Sequence, residues 1–332
     1  MKRPGWAGVL LLAWAALFSS VAACDEDSNE PVLPLPDIPE VDPQKRALGE
    51  RLFSETLLSE DGKVSCATCH DLSGNGAGRE ALTAARPGDR PEFNTPTVFN
   101  AALNAFLFWD GRAGSLEEQI DSVVKGEPEF NTTWPRIVER LQANEDYRKA
   151  FRKIYRDGIT PANIKDAIAT FERTLLTPGS RFDRYLRGER DALTEEEKQG
   201  YQLFKSYGCS ACHQGVNLGG NLFQKLGIFE DFFKDRPSVS RADLGRFNVT
   251  GRDQDRHVFR VPSLRNVAVT APYFHDGSVA TLEEAVAIVA RYQLGRRIGE
   301  QEVKQIVAFL RTLTGTFKGR PLDGDPAGER PQ

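Results

Sequence analysis

Two short stretches carry most of the chemistry in this chain: Cys66-Ala67-Thr68-Cys69-His70 and Cys209-Ser210-Ala211-Cys212-His213. Two thiols three positions apart can each add to one vinyl group of a single haem, and the histidine that follows reaches the iron as its proximal ligand. A lone Cys-x-x-Cys serves equally well as a redox pair or half of a zinc ribbon. Two pairs, each followed at once by histidine, select covalent haem attachment instead. The chain is therefore expected to hold two haem c groups, with His70 and His213 on the two irons. Of its four histidines only His257 and His275 then remain.

The segments that must position these motifs come in matched sets. A Gly-x-x-Leu-Phe segment precedes each: Gly49 to Phe53 before the first, Gly200 to Phe204 before the second. Downstream, Phe93 to Ile120 superposes without a gap on Phe259 to Val286. The shared positions are a proline, the asparagine four residues later, Asp-Gly, and Leu-Glu-Glu opening a helix. Two matching blocks in the same order, one per haem motif, indicate two homologous haem domains arising from an internal duplication. Between them, Ile164, Ala167, Ile168, Phe171 and Leu175 recur at helical spacing, and Pro178-Gly179 ends the pattern. Further helices are predicted over 43–58, 135–153, 194–206, 281–293 and 299–313, and there is hardly any alternating strand pattern. The expected fold class is mainly α: two cytochrome c-like haem domains with long loops, each small core completed by a haem face.

Composition and the ends of the chain set the compartment. With 332 residues, 40% hydrophobic and 27% charged, the chain is globular and long enough for two domains. Its net charge of -4 becomes more negative once Lys2 and Arg3 are removed, which argues against nucleic-acid binding. Those two cations precede an apolar stretch from Trp6 to Ala23, the form of an export signal. Val21-Ala22-Ala23-Cys24 has the form of a lipobox, and Cys24 is the one cysteine of five outside the haem motifs. Lipidation at Cys24 is expected, with an ordinary cleavage site or an uncleaved anchor as the plainer alternatives. The acidic, proline-rich segment that follows suits a flexible tether. The expected division is 1–23 lipoprotein signal peptide, 24–43 flexible linker, 44–178 N-terminal haem domain, 179–315 C-terminal haem domain and 316–332 disordered tail. The expected location is the periplasm, at a membrane only through the lipid.

From about Leu48 to Gly315 the chain resembles the bacterial di-haem cytochrome c peroxidases and their relative MauG. The stretches that carry the resemblance are 94–100, 108–112, 261–266, 271–277 and 293–295 (NTPTVFN, FWDGR, VPSLRN, APYFHDG and QLG). The resemblance implies a first haem that meets peroxide and a second that supplies an electron. It implies that Trp109 relays electrons between the haems, the alternative being a packed core aromatic. It makes Gln119 and Glu129 the peroxide-pocket pair, Glu129 moving a proton and Gln119 holding peroxide by hydrogen bonds. It also implies a calcium ion bound by Asn94, Thr270 and Pro272 through an amide oxygen and two backbone carbonyls.

Two departures from the family pattern matter. Many relatives close the first haem at rest with a distal histidine; here Arg86 stands at that place, and no histidine occurs between His70 and His213. An open, five-coordinate first haem is expected, as in MauG. The family's methionine ligand to the second iron falls at Val289, and the only methionine is Met1. Loss of a thioether ligand should lower that haem's potential. Tyr292, His257 and His275 are the candidate sixth ligands, beside water or an empty position.

Three functions follow from these residues. The first is an oxidoreductase reducing hydrogen peroxide to water with electrons from a small periplasmic donor, a cytochrome c or cupredoxin. The second is a MauG-like enzyme using peroxide to oxidise a side chain of a protein substrate. The third is a non-enzymatic electron carrier, against which Gln119 and Glu129 speak, because a carrier needs no proton-transfer groups beside an open iron. A homodimer is the expected self-association.

Overall fold

The computed structural model describes residues 30–322 apart from 79, 81, 89, 90, 128, 235 and 237. The signal segment 1–23 and the lipidation candidate Cys24 lie outside the described residues. The described residues from Val32 to Leu322 belong to one compact unit, so the two predicted haem domains pack as halves of a single body.

The architecture is mainly helical. In the first half α1 (Pro43–Phe53) leads to the short haem-motif helix α2 (Cys66–Cys69), then α3 (Leu116–Lys125), α4 (Trp134–Ala143), α5 (Glu145–Ile154) and α6 (Pro161–Glu172). The second half holds α7 (Arg181–Leu186), α8 (Glu195–Ser206), α9 (Phe247–Thr250), α10 (Leu282–Leu294) and α11 (Glu300–Arg311). Two small antiparallel pairs complete it: β1 (Phe223–Lys225) with β2 (Val258–Arg260), and β3 (Thr316–Phe317) with β4 (Arg320–Pro321). Among the described residues no helix is long and apolar enough to cross a membrane.

Local chemistry sets these boundaries. Asp42 accepts from the Gln44 and Lys45 N–H groups while Pro43 occupies the first turn, and Thr160 with Pro161 does the same for α6. Thr194 and Glu197 form a capping box on α8, and left-handed Gly295 ends α10. The single helix predicted over 135–153 is two. Asn144 takes an extended conformation, ending α4, and its side chain accepts from the Asp146 and Tyr147 N–H groups to start α5.

Each half is built on a crossed helix pair. A Cβ on Gly49 of α1 would collide with the Ala167 carbonyl oxygen of α6 and the Phe171 side chain. A Cβ on Gly200 of α8 would collide in the same way with the Gln305 carbonyl of α11. The glycine of each Gly-x-x-Leu-Phe segment is thus where the two helix backbones touch. Ala167 and Phe171 in one pair stand where Gln305 and Phe309 stand in the other, so Glu172 and Leu310 also correspond.

Two segments differ from expectation. Within the linker predicted as flexible, Val32 and Leu35 are buried. The Leu35 N–H donates to Asp183 Oδ1 at 2.9 Å, and Arg265 Nη2 donates to the Leu33 carbonyl at 2.9 Å. Asp183 and Arg265 form a fully buried ion pair at 2.7 Å. The apolar residues between the prolines therefore make a strap on the second half, and buried charged groups satisfy its backbone. Likewise the tail predicted as disordered starts with an ordered hairpin. Lys318 and Gly319 both take positive φ, as a tight two-residue turn requires, and Phe317 and Leu322 pack with Phe99 and Phe171 of the first half.

Candidate active site

Both motif histidines are aimed by a backbone acceptor. His70 Nδ1 lies 3.0 Å from the Gly76 carbonyl oxygen and His213 Nδ1 3.1 Å from that of Leu218. A carbonyl only accepts, so Nδ1 carries the proton in each ring and Nε2 keeps its lone pair for a metal. Burial pushes both imidazole pKa values down, which favours the neutral ring that iron requires.

Cys66, Cys69 and His70 open onto a cavity of about 1180 Å³. Gln119 from α3 and Glu129 from the loop after it reach the same cavity, together with Trp109 and Arg86. Arg86 pairs with Asp61 at 2.7 Å, and its hydrogen bonds hold the Asp61 carboxyl well below the usual range. Cys209, Cys212 and His213 open onto a second, narrower cavity walled by Val286 and Val289 of α10 and Leu310 of α11. Trp109, Asn94 and Arg260 border both.

That shared wall is tied by reciprocal hydrogen bonds. The Asn94 N–H donates to the His275 carbonyl at 2.7 Å, and the Arg260 N–H donates to the Trp109 carbonyl at 2.8 Å. The Asn94 side-chain amide donates to the Phe274 carbonyl at 3.2 Å, and Arg260 Nε donates to the Phe108 carbonyl at 3.0 Å. Phe108 and Phe274 both have positive φ, 66° and 68°, which turns each carbonyl toward its partner. In addition, Trp109 Nε1 donates to the Asn94 carbonyl at 2.8 Å. The tryptophan is thus held by its ring and by its peptide.

Of the calcium candidates, Asn94 and Pro272 are brought together: the Asn94 amide nitrogen donates to the Pro272 carbonyl at 2.7 Å. Turning that amide over would present Oδ1 beside Pro272 O, a pair of hard oxygen donors. Thr270 lies two residues before Pro272, with its hydroxyl directed to the Val267 carbonyl at 3.3 Å.

The candidate sixth ligands of the second haem are differently placed. Neither Tyr292 nor His257 is among the residues lining the second cavity. Tyr292 packs edge-on to Phe232, and the His257 ring stacks on Phe233 with Nδ1 at 2.7 Å from the Asp243 carbonyl. His275 does line that cavity, but its Nε2 is 2.8 Å from Asp243 Oδ1, and Arg236 binds the same carboxylate. Val289, where the resemblance puts the family's methionine, lines the second cavity.

Sequence reasoning missed two residues. Among the described residues, two buried side-chain atoms have no hydrogen-bond partner, Arg260 Nη1 and Glu172 Oε2, and both residues line the first cavity. A buried cation with one N–H group left without an acceptor is costly, and a group bearing carboxylates would complete it. Four thiols, two imidazoles whose Nδ1 atoms are hydrogen-bonded to carbonyls and a guanidinium with its Nη1 unpaired fit haem, whose iron, once bound, supplies the redox chemistry. Around it the chain offers a carboxyl at Glu129 to move a proton and an amide at Gln119 to hold a small polar molecule.

Residues 43–191 match the family model for di-haem cytochrome c peroxidase. The chain belongs to that family, and it is an oxidoreductase of the cytochrome c peroxidase type carrying two haem c groups. It is 41% identical over 317 residues to the cytochrome c551 peroxidase of Nitrosomonas europaea, covering 95% of this chain and 92% of that protein. It is also 41% identical over 330 residues to the cytochrome c peroxidase Ccp of Escherichia coli, covering 94% and 70%. A solved structure of a MauG-like protein associated with microbial copper homeostasis shares the fold. Its TM-score is 0.74 at 30% identity, over 85% of this chain and 93% of that one.

Proposed function

We propose that this protein reduces hydrogen peroxide to water in the periplasm, with electrons from a small redox protein entering at the second haem. The observation that carries this reading is the convergence of Gln119, Glu129 and the first haem motif on one cavity, with Trp109 in the wall it shares with the second. Glu129 takes a proton from the incoming peroxide and returns it to the departing oxygen, while the Gln119 amide holds peroxide in place. Trp109 carries the electron across the wall. The two halves descend from one duplicated haem domain, a reading supported by the matched helix crossings and by the reciprocal bonds of the shared wall. Asn94, Thr270 and Pro272 hold a calcium ion there, and Cys24 carries a lipid that keeps the protein at a membrane.

A MauG-like use of peroxide against a protein side chain is the second reading. What favours it is Arg86, paired with Asp61, at the place of the family's distal histidine. Steady-state peroxide consumption with a reduced small cytochrome, beside the resting electron paramagnetic resonance spectrum, separates the two. Rapid donor-dependent turnover is expected; an enzyme that consumes peroxide only when a protein substrate is present would give the function to the second reading.

A further inference from the structure

Glu172 ends α6 buried at 8% exposure in the wall of the first cavity, and its Oε2 has no hydrogen-bond partner. The matched position on α11 is Leu310, which lines the second cavity. One half thus sets an apolar side chain against its haem where the other sets a carboxyl. A buried carboxyl without a partner costs stability, and packing alone gives no reason for it, since leucine fills the equivalent place.

We propose that Glu172 is the charge-compensating group of the first haem, taking up one proton from solvent when that haem gains one electron. This rests on the reading that the first cavity holds a haem attached at Cys66 and Cys69. The step balances: the iron gains an electron from the donor by way of the second haem, the Glu172 carboxylate becomes a carboxylic acid, and the net charge of the cavity is unchanged. At a buried carboxyl such compensation matters, because an uncompensated charge change is far more costly there than in water.

The surroundings set the pH at which this happens. Burial first, and then the Glu117 carboxylate on α3, push the Glu172 carboxyl up to about 8, while Arg173 at the end of α6 opposes them. Glu117 and Arg173 pair with each other at 2.7 Å on the surface. On α1, Arg46 pairs with Glu50, and Glu50 also holds Lys318. The cavity lining adds charged groups of both signs, Glu129, Asp110, Arg112 and Arg260 among them. Reduction makes the iron site more negative and raises the carboxyl's pKa further. Between the oxidised-state and reduced-state values each electron therefore brings a proton, and the haem's potential falls as pH rises.

The test is spectroelectrochemical titration of each haem in the intact two-haem protein from neutral to alkaline pH. The wild type should show the first haem's reduction constant nearly flat at neutral pH and falling up to tenfold per pH unit above about pH 8, with the second haem much flatter there. Glu172→Leu, which copies the second half, and Glu172→Gln, which keeps the packing, should both remove that slope and raise the first haem's potential at alkaline pH. A slope persisting in Glu172→Gln with both haems loaded overturns the role of Glu172. An intact mass lacking a haem in the wild type would instead sink the reading of the cavity beneath it.

Discussion

Single side chains in the first cavity divide the labour. Breaking the peroxide bond heterolytically requires a proton on the departing oxygen, and Glu129, which lines the first cavity, is the acid proposed to supply it. Glu129→Gln keeps size and hydrogen bonding but removes the acid, so the second-order rate of peroxide consumption should fall by roughly 10²–10⁴-fold. Both haem spectra should stay normal. Gln119→Ala should cost less, because the amide orients and transfers no proton; equal losses in the two variants would contradict this division. The motif cysteines and their histidines were legible because their residue types and spacing are specific to one chemistry, whereas Trp109, Gln119 and Glu129 were reached only through the family resemblance. Arg260 and Glu172 were not. Glu172 did leave a trace: it continues the buried row Ile164, Ile168 at four-residue steps, so a carboxylate sits where the helical pattern asks for an apolar side chain. Burial without a partner, which gives it meaning, exists only in the folded chain.

At the scale of elements, helix placement was readable because caps are written in adjacent residues. Asp42-Pro43, Thr160-Pro161 and Thr194 with Glu197 all start helices within a residue or two of expectation. The strap at 32–35 and the hairpin at 316–321 were not readable, since proline-rich or short polar segments order only by finding distant partners. The strap has a testable energetic core. Asp183→Leu would leave Arg265 buried and uncompensated, and unfolding measured on the haem-loaded protein should show a loss of about 3–5 kcal/mol. The double variant Asp183→Leu with Arg265→Met should recover most of it; failure to recover would mean that the strap's backbone bonds, not the stranded charge, dominate. Gly49→Val is expected to lower the denaturation midpoint too, because its branched side chain must push α6 off α1, an overpacking cost of about 1–3 kcal/mol or more.

For the whole molecule, two haem attachments should appear as an intact mass, after acid denaturation, that exceeds the polypeptide by about two haem groups. Haem extractable with acidified acetone would contradict covalent attachment. The fully ferric protein should react with peroxide on stopped-flow mixing without prior reduction, on the expectation that Arg86 in place of a distal histidine leaves the first haem five-coordinate. A response that requires one-electron reduction beforehand would show that another residue closes the site. Cys24→Ser should move the protein from membrane to soluble fractions with haem content unchanged. A wild type already found in the soluble fraction would remove the anchor.

The shared wall has a consequence for speed. Trp109 is clamped through its indole nitrogen to Asn94 and through its carbonyl to Arg260, while Asn94 and Arg260 each bind the opposite half. On the proposal that Trp109 relays electrons, a side chain tied to both sides of the boundary needs little rearrangement as charge passes through it. With such small reorganisation, the pace of electron exchange between the cavities follows from separation and driving force. On that reading, control of the exchange falls to driving force, which the Glu172 proton would set for the first haem, and to the mouths where peroxide enters and the donor lands.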